Sequence, residues 1–254
     1  MDGQYIEPML VPGRPSASAL SSAAAALRLP SICAICHGWG RDRVCAACFG
    51  RFAAAAPRCS RCALPVPAAV AVCGACLARP PSFDAAVACV DYRAPWDQLI
   101  ADFKFHDALD LAAVFAASIA AAVTASSAPL PQIVMPIPLA AGRLRERGYN
   151  QAWVLARLVA RRLGLAADAH LLLRLRETPH QLALPPEQRA GNVRGAFAVE
   201  PRRRAEIAGH HVAVVDDVMT TASTAAEASR ALKQAGAATV AIWVFARTPP
   251  PGDD

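Results

Sequence analysis

The sequence predicts an α/β protein in which a parallel sheet with helices on its faces follows a small cysteine-rich zinc-binding module. Three observations predict this architecture. Eight of the nine cysteines form four Cys-x-x-Cys pairs within residues 33–76. The second half of the chain alternates apolar strand patterns with helix patterns, and one predicted strand runs into a loop rich in Asp and Thr. With 254 residues, the chain is long enough for one or two domains with an ordinary core.

The composition narrows the class of protein. Hydrophobic residues make up 55% of the chain, which excludes a disordered protein, and 21 prolines without a period exclude collagen. The net charge is +6, and only Lys104 and Lys233 among the 26 basic residues are lysines. Because the arginine side chain binds phosphate in bidentate fashion, this excess favours a ligand that carries phosphate. A generally Ala- and Arg-rich composition is the alternative explanation.

Two stretches of the sequence bear on the cellular compartment: residues 1–30, and the uncharged stretch between Asp110 and Arg143. Residues 1–30 form an Ala/Ser-rich segment without an export signal, since the apolar run Ala23–Ala26 is too short for a signal core. A helix pattern from roughly Leu111 to Ser127 has an insertion preference of only about −2 kcal/mol. We therefore expect a buried helix there, no membrane span, and a cytoplasmic protein with reduced thiols.

The cysteine region, residues 31–79, is predicted to be a zinc-binding module. Two thiolates at this spacing bind one zinc ion from a tight turn, and two turns complete a tetrahedral site of four sulfurs. Eight ligands suffice for two structural zinc ions, bound by neighbouring pairs or by an interleaved arrangement. The predicted ligands are Cys33, Cys36, Cys45, Cys48, Cys59, Cys62, Cys73 and Cys76.

Other uses of these cysteines fit less well. Disulfides are disfavoured in a reducing compartment, and a thioredoxin-like redox pair occurs singly beside a βαβ unit. Residues 33–37 match the Cys-x-x-Cys-His pattern of c-type haem attachment, but that chemistry needs export and leaves three pairs unexplained. Cys89, in the apolar run Ala85–Val90, is predicted to be a buried small hydrophobe.

The second half of the chain supplies the strands and helices of the predicted sheet. The predicted strands are Ile133–Pro138, His170–Leu175, Val212–Val215 and Thr239–Phe245. The predicted helices are Asn150–Leu163 and Thr224–Ala235, the second ended by Gly236. This alternation is typical of a parallel sheet whose ligand lies at the carboxyl ends of the strands.

A phosphate site is predicted where the strand Val212–Val215 leads into Asp216 and Asp217 and then into small, hydroxyl-rich residues 218–224. Small side chains let backbone N–H groups approach a phosphate, and the N-terminus of the following helix adds positive charge. Adjacent carboxylates suit sugar hydroxyls or a Mg²⁺ ion, so a phosphorylated sugar would span both parts. The alternative is a capped helix with the Asp pair as solvated turn residues.

These segments resemble the phosphoribosyl-pyrophosphate (PRPP) signature of type I phosphoribosyltransferases. Taken with the four cysteine pairs, they resemble the ComF (competence protein F-like, GntX) family of that superfamily. The other segments that carry the resemblance are Pro136–Leu139, Arg143–Ala152, Thr178–Phe197 and Phe83–Phe105, which ends in Phe103-Lys104-Phe105. The match covers about residues 31–247, with its motifs in family order. It implies a transferase-like domain at residues 80–248, with a disordered tail at 249–254.

The resemblance also implies roles for individual residues. Asp216 and Asp217 would hold the ribose hydroxyls of PRPP, directly or through Mg²⁺. The turn that begins at Pro136 would receive pyrophosphate, and Glu177–Arg194 would be a hood loop that closes over the site. The implied 5′-phosphate ligands are Thr220, Thr221, Ala222, Ser223 and Thr224; pyrophosphate would be held by Arg143, Arg147 and Asn150, and the hood contacts would be Gln181, Arg189 and Asn192.

The implied reaction is Mg²⁺-dependent loss of pyrophosphate from C1 of the ribose through an oxocarbenium-like transition state, with transfer to an unidentified acceptor. The implied catalytic residues are Asp216, Asp217 and Arg147. Ala222 stands where the family's usual loop has Gly. Thr220 stands where hypoxanthine–guanine-type enzymes have an Asp that can protonate a purine, so purine salvage is disfavoured.

The alternative function is a zinc-containing accessory protein of DNA uptake that binds single-stranded DNA, or partners a DNA-uptake helicase, around a non-catalytic PRPP site. The family name suggests it, and the zinc module and the arginine excess permit it. Only Trp39, Phe49 and Phe52 supply aromatic rings for base stacking in the zinc region.

Overall fold

A computed structural model describes residues 30–126, 128–176 and 195–249 of the chain. The N-terminal segment 1–29 and residues 250–254 of the expected tail lie outside the described residues. So do the expected hood loop, Glu177–Arg194, and its expected contacts Gln181, Arg189 and Asn192.

Residues 31–78 fold as two successive halves of similar design. The first half has an antiparallel pair, β1 (Ser31–Ile32) and β2 (Trp39–Gly40), and then helix α1 (Ala46–Phe52). The second half has one antiparallel bridge, between Arg58 and Pro65, and then helix α2 (Gly74–Ala78). In each half, one cysteine pair lies in a tight turn and the other lies at the start of the helix.

The rest of the described chain is organised around a five-stranded sheet. Its strands are β3 (Ala85–Asp91), β4 (Ile133–Pro136), β5 (Ala166–Ala167), β8 (His211–Met219) and β9 (Thr239–Arg247). They lie in the order β3-β9-β8-β4-β5, and all neighbours are parallel. A separate antiparallel pair is formed by β6 (Leu172–Arg174) and β7 (Phe197–Val199). The predicted parallel sheet is confirmed.

Helices cover both faces of the sheet. They are α3 (Trp96–Phe105), α4 (Leu111–Ala125), α5 (Ala141–Arg147), α6 (Gln151–Leu163) and α7 (Ser223–Gln234), with a 3-10 turn at Pro201–Glu206. Successive strand residues face opposite sides, so Val215 packs in the core under α3, α4 and α6, and Val214 packs in the core under α7. This burial on both faces explains why β8 and β9 are nearly continuous apolar runs.

Helix α4 is buried against the sheet, with Phe115 and Ile119 inaccessible to solvent. Among the described helices, none has both the length and the apolar character needed to cross a membrane. The prediction of a buried helix in this stretch is confirmed.

The observed strands differ from the sequence prediction in several places. The run His170–Leu175 was expected in the main sheet, but only Leu172–Arg174 is a strand, and it pairs with β7; an apolar run does not specify its partner. Strand β3 was not predicted, although its apolar run is visible in the sequence. Strand β8 continues through the Asp pair to Met219 because β9 runs beside it as far as Arg247.

Candidate functional site

A cleft of about 520 Å³ opens where the carboxyl ends of β4 and β8 meet helix α3. One wall is the loop from β8 to α7, and the other comes from α3, α5 and the turn after β4. Its size lies within the range of small-molecule sites. The lining from the end of β8, the loop after it and the start of α7 comprises Asp216, Asp217, Val218, Met219, Thr220, Thr221, Ala222, Ser223 and Thr224.

The loop between β8 and α7 leads directly into the N-terminus of a 12-residue helix. Ala222 is the residue that caps this helix, with φ 62° and ψ 5°. The Thr221 and Ser223 hydroxyls lie 3.0 Å apart and hydrogen bond to each other. The left-handed backbone conformation of Ala222 costs a residue with a Cβ roughly 1–2 kcal/mol, and glycine avoids this cost.

The two carboxylates differ in surroundings. Asp217 is 2% exposed and its Oδ2 lies 2.9 Å from Lys104 Nζ. Asp216 is partly exposed on the cleft, and its Oδ1 accepts a hydrogen bond of 2.9 Å from the Asp217 N–H. Burial and the neighbouring Asp217 charge raise the pKa of Asp216 well above its usual value, against the effect of Lys104. A cation bound beside the two carboxylates would oppose this effect and lower the pKa of Asp216.

Lys104 was not among the expected site residues. Helix α3 places it in the cleft between Phe103, which is buried in the core, and Phe105, which lines the cleft. Burial alone would lower the pKa of Lys104, but the carboxylates of Asp217 and Asp216 raise it, so the ammonium stays charged. A lysine between two aromatic residues, in a chain whose other basic residues are almost all arginines, was the available signal.

Several guanidinium groups face the Asp pair across the cleft. Arg143 and Arg147 line it. The Arg147 guanidinium lies over the Phe105 ring, 4.8 Å from its centroid, and donates a 2.6 Å hydrogen bond to Gln151 Oε1. Arg174 of β6 also lines the cleft; it was not among the predicted site residues, although it lies just before the expected hood loop.

Two expected contact residues do not line the cleft. Asn150 caps α6, where its Oδ1 accepts from Ala152 N at 2.9 Å and its Nδ2 donates to the Ile137 carbonyl at 3.1 Å. Pro136 is buried at the end of β4, and Ile137 and Leu139 line the cleft instead. In this structure Asn150 therefore shapes the turn after β4.

The eight paired cysteines form two groups of four. The first cysteine group is Cys33, Cys36, Cys45 and Cys48, and the second cysteine group is Cys59, Cys62, Cys73 and Cys76, each with all its sulfurs within 4.8 Å of one another. Neighbouring pairs therefore share a group, which decides between the two arrangements that the sequence left open.

The sulfur geometry fits tetrahedral zinc. A Zn–S bond of about 2.3 Å places two sulfurs about 3.8 Å apart. The Cys36 and Cys45 sulfurs are 3.8 Å apart, and those of Cys62 and Cys73 are 3.7 Å apart.

Backbone N–H groups prepare these sulfurs to bind a metal ion. The Cys45 N–H donates to Cys33 Sγ, and the Cys73 N–H donates to Cys59 Sγ, both at 3.3 Å. Burial alone would raise the pKa of Cys33, but hydrogen bonds from Cys36, Cys45 and Ile35 lower it to about 6. Burial and its sulfur neighbours raise the pKa of Cys48 to about 12, so four thiolates together need a cation.

Cys89 does not join either group. Its sulfur packs against the core near the Val244 carbonyl, at 3.8 Å, and burial raises its pKa to about 12. It is partly rather than fully buried, and it is otherwise the structural residue that the sequence predicts.

Arg247, the last residue of β9, connects the second cysteine group with the loop after β8. It is 6% exposed, and its Nε donates to the Cys62 carbonyl at 3.0 Å. Its Nη1 donates to the Met219 carbonyl at 3.0 Å and also to the Thr220 carbonyl. Arg247 was not among the predicted site residues, and its position at the end of a nine-residue apolar strand was the available signal.

The parallel sheet, the acidic strand end and the two cysteine groups define a phosphoribosyltransferase-type domain behind a double zinc ribbon. Residues 151–252 match the family model of the phosphoribosyl transferase domain, and residues 24–77 match that of the double zinc ribbon domain.

The relatives specify the family. The chain is 33% identical over 232 residues to DNA utilization protein YhgH of Salmonella typhi, covering 87% of this chain and 99% of that protein. It is 32% identical over 195 residues to competence protein F of Haemophilus influenzae, covering 75% and 85% respectively. The chain therefore belongs to the ComF family, with DNA utilization protein YhgH and competence protein F.

One solved structure that resembles the chain is the allosteric regulatory enzyme of purine biosynthesis. It is 20% identical, over 52% of this chain and 25% of that one, with a TM-score of 0.35.

Proposed function

We propose that the protein binds PRPP with Mg²⁺ in the cleft and transfers its phosphoribosyl group to an acceptor, releasing pyrophosphate. The observation that carries this proposal is one cleft in which a helix N-terminal loop, two carboxylates and several cationic side chains face one another. The 5′-phosphate of PRPP needs the helix N-terminal loop, its ribose hydroxyls need the carboxylates, and its pyrophosphate needs the cationic side chains.

Each part of the ligand has a matching wall. The loop Thr220–Thr224 would bind the 5′-phosphate through its hydroxyls, its backbone and the α7 N-terminus. The oxygens of Asp216 and Asp217 would hold the ribose hydroxyls, and Mg²⁺, which prefers oxygen ligands, would neutralise charge between them and pyrophosphate. Arg143 and Arg147 would bind the pyrophosphate on the opposite side.

The same side chains give the cleft its catalytic potential. As the bond from C1 to pyrophosphate breaks, negative charge grows on the leaving group, and Arg147 would stabilise it from a position fixed by Phe105 and Gln151. Lys104 holds the Asp217 carboxylate in place, so the charge of that wall is set before the ligand arrives. The expected hood contacts Gln181, Arg189 and Asn192 stay predictions.

The test is a titration of the full zinc-loaded chain with PRPP and Mg²⁺, in which calorimetry measures binding and thermal unfolding measures stabilisation. At a ligand concentration of 100 Kd, the stabilisation should be about 2.7 kcal/mol. The variant Asp216→Asn with Asp217→Asn should lose it, and Asp102→Asn, on α3 outside the cleft lining, should retain it. No binding by the wild-type protein at millimolar PRPP would overturn the proposal. Release of pyrophosphate with candidate acceptors then tests turnover.

A second candidate function is binding of single-stranded DNA by the zinc module. The observation that favours it is Trp39, which is 79% exposed on β2, close to Arg41 in the chain. Phe49 is not available for stacking, because its ring packs edge-on against Trp96 at 5.6 Å. Fluorescence polarisation with a labelled oligonucleotide should show binding that weakens steeply with salt and falls in Trp39→Ala. No binding at low salt would exclude it.

A further inference from the structure

Arg247 joins three segments that are distant in the sequence. Its guanidinium donates to the carbonyls of Cys62 in the zinc module and of Met219 and Thr220, at the start of residues 219–224, which we call the phosphate loop. It also donates to the Thr248 carbonyl at 2.8 Å. These partners are carbonyls, so no carboxylate among them compensates its charge. A buried guanidinium is expensive to desolvate, and it is a poor choice if its only role is to fill space.

The turn that contains Cys62 is rigid when its sulfurs are held together. The Cys59 N–H donates to the Leu64 carbonyl at 2.8 Å, and the Ala63 N–H donates to the Cys59 carbonyl at 2.8 Å. Ala63 is completely buried, with φ 58°. Because Cys62 Sγ belongs to the second cysteine group, a metal ion there fixes the Cys62 carbonyl that orients Arg247.

The second half of the zinc module is also tied to the sheet on which the phosphate loop begins. The Ala86 N–H of β3 donates to the Ser60 carbonyl at 3.1 Å. Arg58 Nη1 lies 2.9 Å from Asp91 Oδ1 at the end of β3, and both side chains are nearly buried. The turn, the sheet edge and the loop therefore move together when these contacts are intact.

Charge supports the same link. A zinc ion with four thiolates carries a net charge of about −2. Loss of the metal would remove a fixed, ordered anion beside the guanidinium.

We propose that Arg247 is a positioning residue that couples the second cysteine group to the phosphate-binding loop. Metal bound by Cys59, Cys62, Cys73 and Cys76 fixes the Cys62 carbonyl, this carbonyl orients Arg247, and Arg247 holds Met219 and Thr220 in the conformation that receives a phosphate. Coupling between two sites is reciprocal, so a ligand on the loop tightens metal binding at the second cysteine group. The identity of that ligand as PRPP rests on the proposed function, whereas the coupling does not.

A matched pair of cysteine variants tests the coupling without any ligand. Cys45 and Cys73 are equivalent N-cap residues, with φ/ψ of −69°/154° and −69°/156°. Hydrogen exchange by mass spectrometry should show roughly tenfold faster exchange of the amides of residues 219–224 in Cys73→Ser than in wild type. In Cys45→Ser the same amides should exchange within about twofold of wild type. Equal effects of the two variants, or no effect of Cys73→Ser, would overturn the proposal.

A double-mutant cycle tests the route through Arg247. Arg247→Lys keeps a cation but cannot span the three segments, and it should expose the loop amides as Cys73→Ser does. In the background of Arg247→Lys, Cys73→Ser should add little to loop exchange, because the link is already broken. Arg61→Met, which changes an exposed arginine of the same half, is the matched control, and in its background Cys73→Ser should keep its full effect on loop exchange. Additive effects of Arg247→Lys and Cys73→Ser overturn the route.

An experiment with added PRPP distinguishes a failure of this coupling from a failure of the proposed function. PRPP with Mg²⁺ should slow the release of zinc from the second cysteine group to a chelator severalfold in wild type, and should not do so in Arg247→Lys. If wild-type protein binds no PRPP, the proposed function fails, and the ligand-free exchange comparison still decides the coupling. Protection of amides in β9 residues 239–245 confirms in each variant that the sheet is folded.

Discussion

The two halves of the zinc module repeat one local structure and use it differently. Cys59 lies 26 residues after Cys33, and Cys73 lies 28 residues after Cys45. In both halves the first cysteine N–H bonds to a carbonyl five residues later, at 2.9 Å to Gly38 and 2.8 Å to Leu64. The residue after the second cysteine has φ 58° in each half, at His37 and at Ala63.

The halves differ in what they pack against. Cys33, Val44 and Cys48 belong to the same hydrophobic core as Trp96 and Phe245, so the first half extends the core under α3. The buried cysteines of the second half form a small cluster of their own, Ala63 packs in the core under α7, and Arg58 and Arg247 link that half to the sheet and the loop. The same metal motif can therefore stabilise the fold in one place and hold a binding loop in another.

The largest expected effect on stability and on ligand affinity comes from removing one ligand from each cysteine group in turn. Cys33→Ser should lower the free energy of unfolding of the whole described domain by about 4 kcal/mol or more, because its group is continuous with the main core. Cys59→Ser should cost less global stability and should weaken PRPP binding more. Chemical denaturation and calorimetry of both variants measure the two quantities. Equal losses of stability and affinity in the two variants would contradict the division of roles.

Removing a contact that attaches either half of the zinc module to the rest of the protein should give the next largest loss of stability. Asp91 is nearly buried and lies within 2.9 Å of Arg58 and 2.6 Å of Arg93, so Asp91→Ala leaves a buried guanidinium unpaired and should cost about 3–5 kcal/mol. Trp96→Phe removes the 2.8 Å bond from the indole N–H to the Phe52 carbonyl and should cost about 1–3 kcal/mol in the first half. Urea unfolding measures both, and a larger loss for Trp96→Phe would reverse this order.

Asp216 should make the stability of the ligand-free protein depend on pH. Its pKa is raised in the folded state, so the folded protein binds the proton more tightly than the unfolded chain. Its contribution to stability is therefore present at low pH and is lost as pH rises from about 4 through the folded-state pKa. Asp216→Asn should remove this loss and raise the melting temperature at pH 7, by roughly 2–4 °C for each kcal/mol recovered.

The control for this prediction is the melting temperature of both proteins measured between pH 5 and pH 8. Their difference should widen as pH rises, and parallel curves would refute the role given to Asp216. Binding of PRPP with Mg²⁺ needs ionised carboxylates, so it should release a proton, which calorimetry in two buffers of different ionisation heat detects. Cys73→Ser should not alter this proton release, since Asp216 and Asp217 contact each other and Lys104 of α3.

Ala222→Gly should have the smallest effect. It tests whether the loop's own backbone strain changes how much the loop depends on the second half of the zinc module. Glycine removes the strain of the left-handed conformation, so stability should rise by about 1 kcal/mol and affinity for PRPP should increase. A relaxed loop should depend less on Arg247, so Cys73→Ser should weaken PRPP binding less in this background. Thermal unfolding and calorimetry check both effects. A loss of stability in Ala222→Gly would show that the alanine side chain packs favourably.

Local patterns predicted much of the fold and of the site. The Cys-x-x-Cys spacing predicted the zinc ligands, because two sulfurs three residues apart can reach one metal from a single turn. The apolar run before Asp216 predicted strand β8, and the small hydroxyl residues after it predicted a loop at a helix start. Arg143 and Arg147 line the cleft, and their role as pyrophosphate ligands stays a prediction.

Other features depended on contacts that spacing cannot specify. Sequence left the pairing of the cysteine groups open, because both arrangements use the same local turns. The sequence did not show that the Asn150 side chain caps α6 and donates to the Ile137 carbonyl, and its role as a ligand contact stays a prediction. Lys104 was seen only as part of a motif, since its partner Asp217 belongs to another element of the fold.

The sequence by itself determined the local chemistry of this protein: the zinc-binding turns, the acidic strand end and the loop that follows it. The tertiary structure alone decided which of these parts touch. Arg247 and Cys62 are 185 residues apart in the chain, and the Arg247 Nε lies 3.0 Å from the Cys62 carbonyl oxygen. The reason is that residues in one turn or strand constrain each other directly, whereas distant residues meet only after the apolar faces of the sheet and helices have packed.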